Sequence, residues 1–162
     1  NEAGVGLIIL ETLPQTPIRG ISKFTNDGRP FIVITTKYNL DHIFWQTFFH
    51  EAAHLLLHSN QKIHLDEGDD NIPALNNPME LEADEFMVSQ LLQPFKLSEV
   101  LDKIDFKLMK RDKIGSWKNI ANVAEQIQIS PSLLTGLLKR EKKIPYSYFS
   151  ESHKPVFTLA KI

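Results

Sequence analysis

The chain has 162 residues, a formal charge of −2, 42% hydrophobic and 23% charged residues, the makeup of one globular domain or of one domain with a small appendage. That balance asks for neither nucleic acid nor an anionic membrane as a partner, and no run of about 18 apolar residues offers a membrane span. The lack of cysteine excludes disulfides, thiolate metal ligands and a cysteine nucleophile, and it fits a reducing, cytoplasmic setting.

The opening Asn1-Glu2-Ala3-Gly4 carries no basic leader pattern and reads as the cut end of something longer. The first 36 residues read as extended structure. Val5–Leu10 is a short apolar run, Ile18–Phe24 alternates around Gly20, and Pro30–Thr35 is rich in β-branched residues after the turn signal Asn26-Asp27-Gly28. Together they predict a small, largely antiparallel sheet. From Asn39 the period changes. Asn39 or Asp41 can cap a helix running to about Leu57. Ser59–Asn76 is polar, acidic and punctuated by Gly68 and Pro73, which predicts a functional loop. Asn77 and Pro78 open a second helix, Met79–Leu92, stopped by Pro94. Ser98 opens a third over Glu99–Met109, Ser116 a fourth over Trp117–Ile127, and Ser130-Pro131 a fifth reaching Arg140. The aromatic tail from Pro145 carries a candidate strand at Val156–Ala160.

Within the first helix, His50-Glu51-Ala52-Ala53-His54 is an H-E-x-x-H sequence. Four helical residues turn through 400°, so the two imidazoles stand about 40° apart and about 6 Å along the axis. Both can then converge on one Zn²⁺ at about 2.0–2.1 Å. Glu51 projects off that line, placed to take a proton from metal-bound water. Phe44, Trp45, Phe48 and Phe49 before the motif and Leu55–Leu57 after it predict a buried helix, with Trp45 and Trp117 as core residues. Unpartnered imidazoles and a carboxylate there would cost several kcal/mol. The bland alternative is a core helix whose histidines bond to backbone carbonyls.

Catalytic zinc usually has a third protein ligand. The second helix offers Glu80, Glu82, Asp84 and Glu85. Glu80 and Asp84 share a face beside Ala83, so Glu80 is the candidate third ligand and Asp84 the candidate acceptor for a ligand imidazole's other N–H. Glu82 and Glu85 lie further round and read as solvated; the alternative is that all four are surface charges. His58 continues the i+4 series but lies too far from His50 to share one ion. It reads as a histidine bonding to free helix-end carbonyls or as a pocket residue. His64 reads as a loop histidine, and His42 and His153 carry no signal. Tyr146 and Tyr148 are candidate electrophilic partners in the pocket.

The stretch from Phe44 to His58, with the second-helix pattern Glu80-x-Glu82-Ala83-Asp84-x-Phe86 and Leu91-Leu92, resembles the ImmA/IrrE-type bacterial metallopeptidases. Ile18-Arg19-Gly20-Ile21, Pro30–Val33 and the Ile129–Arg140 region are similar to further segments of that family. Ala53 replaces the commoner Gly before the second His, and Met87 stands where Ala is frequent. The resemblance implies a minimal gluzincin-like fold, Zn²⁺ at His50, His54 and Glu80, and Glu51 as catalytic acid/base. It further implies a bacterial, cytoplasmic regulator of stress-response or toxin–antitoxin type. Such a protein either cleaves a helix-turn-helix repressor or serves as a non-proteolytic sensor or antitoxin domain.

A second signal is Val123–Ser130 followed by Leu134 and Leu137, which fits a helix-turn-helix template with Gln128 at the turn. Its would-be recognition face, Ser130, Pro131, Ser132, Thr135 and Gly136, lacks the side chains that read bases in pairs of hydrogen bonds. Lys139, Arg140, Lys142 and Lys143 could touch phosphate or simply complement the helix dipole. A structural helical hairpin is the expectation, direct DNA binding the rival. The whole reads as an α+β fold. A small N-terminal antiparallel sheet packs on a zincin-type active-site helix pair, and a C-terminal helical, helix-turn-helix-like region follows. The metallopeptidase core would cover residues 1–95, the helical subdomain and tail residues 96–162.

Overall fold

The computed structural model describes residues 4–11, 18–58, 64–66, 77–108 and 112–150. Three strands lead: β1 (Gly6–Leu10), β2 (Gly20–Phe24) and β3 (Pro30–Thr35). The long helix α1 (Asp41–Leu57), the short strand β4 (His64–Asp66) and α2 (Pro78–Leu92) follow, then α3 (Leu97–Asp102), α4 (Lys113–Gln126) and α5 (Pro131–Arg140). The architecture is α+β, as the sequence pattern predicts. The candidate strand at Val156–Ala160 and His153 lie outside the described residues.

The sheet has four strands in the order β1-β3-β2-β4. Strands β2 and β3 form the anticipated hairpin, closed by Gly28 at φ +81° and by the Thr25 amide donating to the Arg29 carbonyl at 2.8 Å. The sheet is nevertheless mixed rather than antiparallel throughout, because β1 pairs with β3 in parallel. Strand β3 carries the densest β-branched run and buries Ile32, Val33 and Ile34, so pairing on both of its edges keeps its backbone out of water. Strand β2, next after β1 in the chain, therefore lies on the far side of β3. Strand β4 falls inside the segment expected to be loop and pairs antiparallel with β2, supplying the other edge.

Helix boundaries follow local chemistry where a cap decides them. The Asn77 side chain accepts from the Met79 amide at 3.1 Å and Pro78 occupies the first turn of α2. The Ser130 hydroxyl accepts from the Leu133 amide at 3.0 Å to start α5. Three expectations are corrected. Helix α1 is capped by neither Asn39 nor Asp41. Tyr38 and Asn39 take left-handed φ values of 70° and 42°, which leaves extended Leu40 in the cap position. The Asp112 carboxylate, not Ser116, caps α4 by accepting from the Ile114 amide. Helix α3 starts at Leu97 and ends at Asp102 instead of reaching Met109, because Ile104 turns into the core and the Asp105 amide donates to Asn119 Oδ1 at 2.8 Å.

The main apolar core lies among the last four helices. Met87, Leu91 and Leu92 of α2 meet Val100, Ile120, Val123 and Ala124, and then Leu134, Leu137 and Leu138 of α5. The cluster thus joins residues on both sides of position 95. Gln128 takes φ +58° between α4 and α5, the left-handed turn that a helical hairpin needs. Helix α5 is buried from Ser132 to Lys139. Three of the five residues expected on an exposed recognition face, Ser132, Thr135 and Gly136, are therefore covered, while Ser130 stays exposed. Ser132 donates to Asp41 Oδ1 at 2.5 Å, and a Cβ on Gly136 would meet the His42 ring at 2.5 Å.

Leu137 is fully buried in this cluster. Leu137→Ala is expected to lower unfolding free energy by about 3 kcal/mol, read as a lower urea midpoint at unchanged slope.

Candidate metal centre

Helix α1 has an unusual distribution of side chains. It buries His42, Gln46, Thr47, His50, Glu51, Ala53 and His54, while Trp45, Leu56 and Leu57 are exposed. Trp45, expected in the core, is 43% exposed and packs edge-on against Phe44 and Phe48 on the outer surface. Trp117 does pack against the apolar core. The inner, polar face of α1 meets three neighbours, namely α2, the sheet and α5.

Towards α2, the His50 and His54 rings bring their Nε2 atoms to 3.1 Å of each other. Glu80, in the first turn of α2, places Oε2 at 3.1 Å from His50 Nε2 and Oε1 at 3.4 Å from His54 Nε2. On the other side of the His50 ring, Nδ1 donates to Asp84 Oδ1 at 2.8 Å. A neutral imidazole that donates through Nδ1 presents a lone pair at Nε2. That lone pair faces a carboxylate oxygen and a second imidazole nitrogen, an arrangement that calls for a cation or shared protons between them.

The spacing fits a metal. Donors bound tetrahedrally at about 2.0–2.1 Å stand about 3.3 Å from one another, and the observed separations are 3.1, 3.1 and 3.4 Å. His50, His54 and Glu80 therefore form a group that could hold a metal ion. Asp84, one turn along α2, fixes the tautomer and aim of His50.

The charges agree with this arrangement. Where protons bridge these atoms instead of a cation, hydrogen bonds from His50 and then His54 hold the Glu80 carboxyl well below the usual carboxylate range, outweighing partial burial. Burial works against ionisation of Asp84, but the His50 hydrogen bond and the Arg140 guanidinium outweigh it and keep its pKa below the ordinary value. Arg140, at the end of α5, donates to the same Asp84 oxygen that His50 uses.

Towards the sheet, Glu51 is fully buried. It packs where β2 begins: a Cβ on Gly20 would lie 2.7 Å from Glu51 Oε1, 2.8 Å from its Cγ and 2.6 Å from Thr47 Cγ2. Only glycine lets the strand backbone approach the helix this closely. Glu51 thus faces the sheet, whereas His50 and His54 face α2.

Other candidates fall outside the cluster. His58 ends α1, and its Nε2 donates to the Met79 carbonyl at 3.2 Å, with Glu82 Oε2 at 3.8 Å. It does bond to a helix carbonyl, but to one in the first turn of α2 rather than at its own helix end. Glu82 and Glu85 are exposed. Tyr146 lines a neighbouring cavity together with Arg140, whereas Tyr148 packs on the apolar core beside Phe149. His64 belongs to β4, and its side chain lies outside the described set. Sequence reasoning missed Arg140 as the partner of Asp84, because the two are 56 residues apart and no local pattern joins them. It also missed the contact of Gly20 with Glu51.

Asp84→Asn is expected to weaken divalent-metal affinity by about 10–100-fold, measured by competition with a chromogenic chelator. Gly20→Ala is expected to destabilise the fold by about 1–3 kcal/mol in urea while leaving metal stoichiometry unchanged, since the collision is with Glu51 and Thr47 and not with the ligands.

Compared with protein-family models and with the curated proteins, the chain matches none.

Proposed function

We propose that the chain is a zinc-dependent endopeptidase of the ImmA/IrrE type whose substrate is a regulatory protein such as a helix-turn-helix repressor. The observation that carries this reading is the convergence of His50 Nε2, His54 Nε2 and the Glu80 carboxylate, with separations of 3.1–3.4 Å, beside a buried Glu51. Two imidazoles and one carboxylate form a donor set typical of hydrolytic zinc, which keeps its remaining position open.

A bound zinc ion would supply Lewis-acid polarisation of a peptide carbonyl and would acidify a water molecule. His50, His54 and Glu80 would hold it, and Asp84 with Arg140 would keep the His50 ring turned towards it. Glu51 takes a proton from the attacking water as the new C–O bond forms. It then delivers that proton to the amide nitrogen as the C–N bond breaks, so the carboxylate is regenerated. The Gly20 backbone holds Glu51 in place, and the buried setting keeps bulk water from competing for the proton.

A non-proteolytic sensor or antitoxin domain using the same pocket is the second reading. It is favoured by the complete burial of Glu51, since a regulatory domain needs no path for water to that carboxylate. Direct DNA binding through α4 and α5 draws less support, because the face of α5 that would enter a groove is packed against α1. Among the described residues no helix is long and apolar enough to cross a membrane.

Glu51→Gln preserves shape and removes the base. The variant is expected to bind zinc with wild-type stoichiometry and to lose at least about 100-fold in cleavage rate against a repressor substrate. Intact regulatory activity in that variant would establish the sensor reading, and loss of zinc without loss of fold in His54→Ala would be required by both.

A further inference from the structure

Helix α1 presents a second polar row to a cavity of about 300 Å³ beside the metal centre. Its walls include Arg19 before β2, His42 and Gln46 on α1, Lys139 and Arg140 at the end of α5, and Tyr146. No aspartate or glutamate is among the described lining residues. Three cationic side chains therefore share one concavity without an acid in that wall, and a pocket of that character attracts anions.

The α1 residues sharpen the chemistry. Gln46 is 9% exposed, and among the described residues its Nε2 has no hydrogen-bond partner. A buried amide donor left in that state costs free energy that an acceptor would recover. Gln46 lies one helical turn before His50, so this donor stands about 6 Å along the axis from the first metal ligand. Lys139 is buried at 5% exposure, and burial pushes its ammonium pKa down. Gly136 lets α5 approach His42 closely, and both residues belong to the wall, so the cavity is shaped by helix packing. Two carboxylates next to the wall have partners of their own: Asp84 accepts from His50 and Arg140, and Asp41 accepts from Ser132 and lies 3.7 Å from His42 Nδ1.

We propose that this cavity binds one small oxyanion, a phosphate or carboxylate group, held by Gln46, Lys139, Arg19 and Arg140. The group could arrive as a free anion or as the acidic side chain of a peptide, and both present the same acceptor oxygens. Arg140 also donates to the carboxylate that aims His50, so the occupant would sit one side chain away from the metal ligands. The proposal does not rest on the peptidase reading, because none of these donors is a metal ligand.

The test is isothermal titration calorimetry of the full chain with inorganic phosphate, at ionic strength held constant with chloride. A parallel arm uses a short peptide carrying aspartate against its asparagine counterpart. One saturable site for phosphate identifies a free anion; binding of the aspartate peptide alone identifies a peptide side chain. In either case Gln46→Leu and Lys139→Met are each expected to weaken binding by about tenfold or more, with Arg19→Gln as a milder variant at the half-buried rim. His54→Ala separates this site from phosphate held on a metal. Binding that survives His54→Ala and falls in Lys139→Met belongs to the cavity. No saturable binding of either probe, or binding unchanged in all three cavity variants, overturns the proposal.

Discussion

Six of the seven residues that α1 buries are polar, and the seventh is an alanine. A helix ordinarily turns its apolar stripe inward, and burying unpaired imidazole, carboxylate and amide groups would cost several kcal/mol. Part of that cost is offset by polar partners on α2, and the rest of the polar face is accommodated by close-fitting backbone. His50 and His54 meet Glu80 and Asp84, Glu51 meets the bare backbone at Gly20, and His42 meets the notch at Gly136. Of the aromatic residues that a core would normally claim, Trp45 lies outward against the half-buried Phe44 and Phe48, while Phe49 reaches the apolar core. The remaining elements can be understood as the walls that this polar face requires.

The stabilising apolar core is separate from the site. It lies among α2, α3, α4 and α5, where Met87, Leu92, Leu134 and Leu137 are closed from solvent. Helix α2 belongs to both regions, with Glu80 and Asp84 on the site and Met87, Leu91 and Leu92 in the core. Anchoring of that kind suits a donor set, which needs its side chains held to within about 0.5 Å of the productive geometry. Helix α5 performs the same double duty: Leu134, Leu137 and Leu138 fill the core while Arg140 reaches Asp84. The line from Arg140 through Asp84 to His50 thus ties three helices together through one carboxylate oxygen.

That line also connects the two polar regions of the molecule. The candidate metal site and the cationic cavity lie along one face of α1, with Gln46 and His50 four residues apart, and Arg140 lines the cavity while bonding Asp84. Electrostatics is complementary across them. The candidate metal site is rich in carboxylate and imidazole, and the cavity side is rich in guanidinium and ammonium.

Much of the site is legible in the amino-acid sequence alone. The i, i+4 spacing of His50 and His54 dictates one helix face, and the same rule pairs Glu80 with Asp84 on α2; only a docking of two helices is needed to bring them together. The hairpin at Gly28 and the caps at Asn77 and Ser130 follow equally from local backbone chemistry, because a side chain two or three residues away decides them. The apolar run of β3 does not reveal that β1 pairs with it in parallel, since strand order depends on which edges are covered rather than on the strand's own residues. Nor can periodicity tell that Trp45 of α1 faces outward, because both sides of that helix carry residues able to be buried, and the choice belongs to the partners. The roles of Arg140, Gly20 and the cavity at Gln46 arise only where segments tens of residues apart come together. Long-range proximity is set by packing of the whole chain, and no local pattern encodes it.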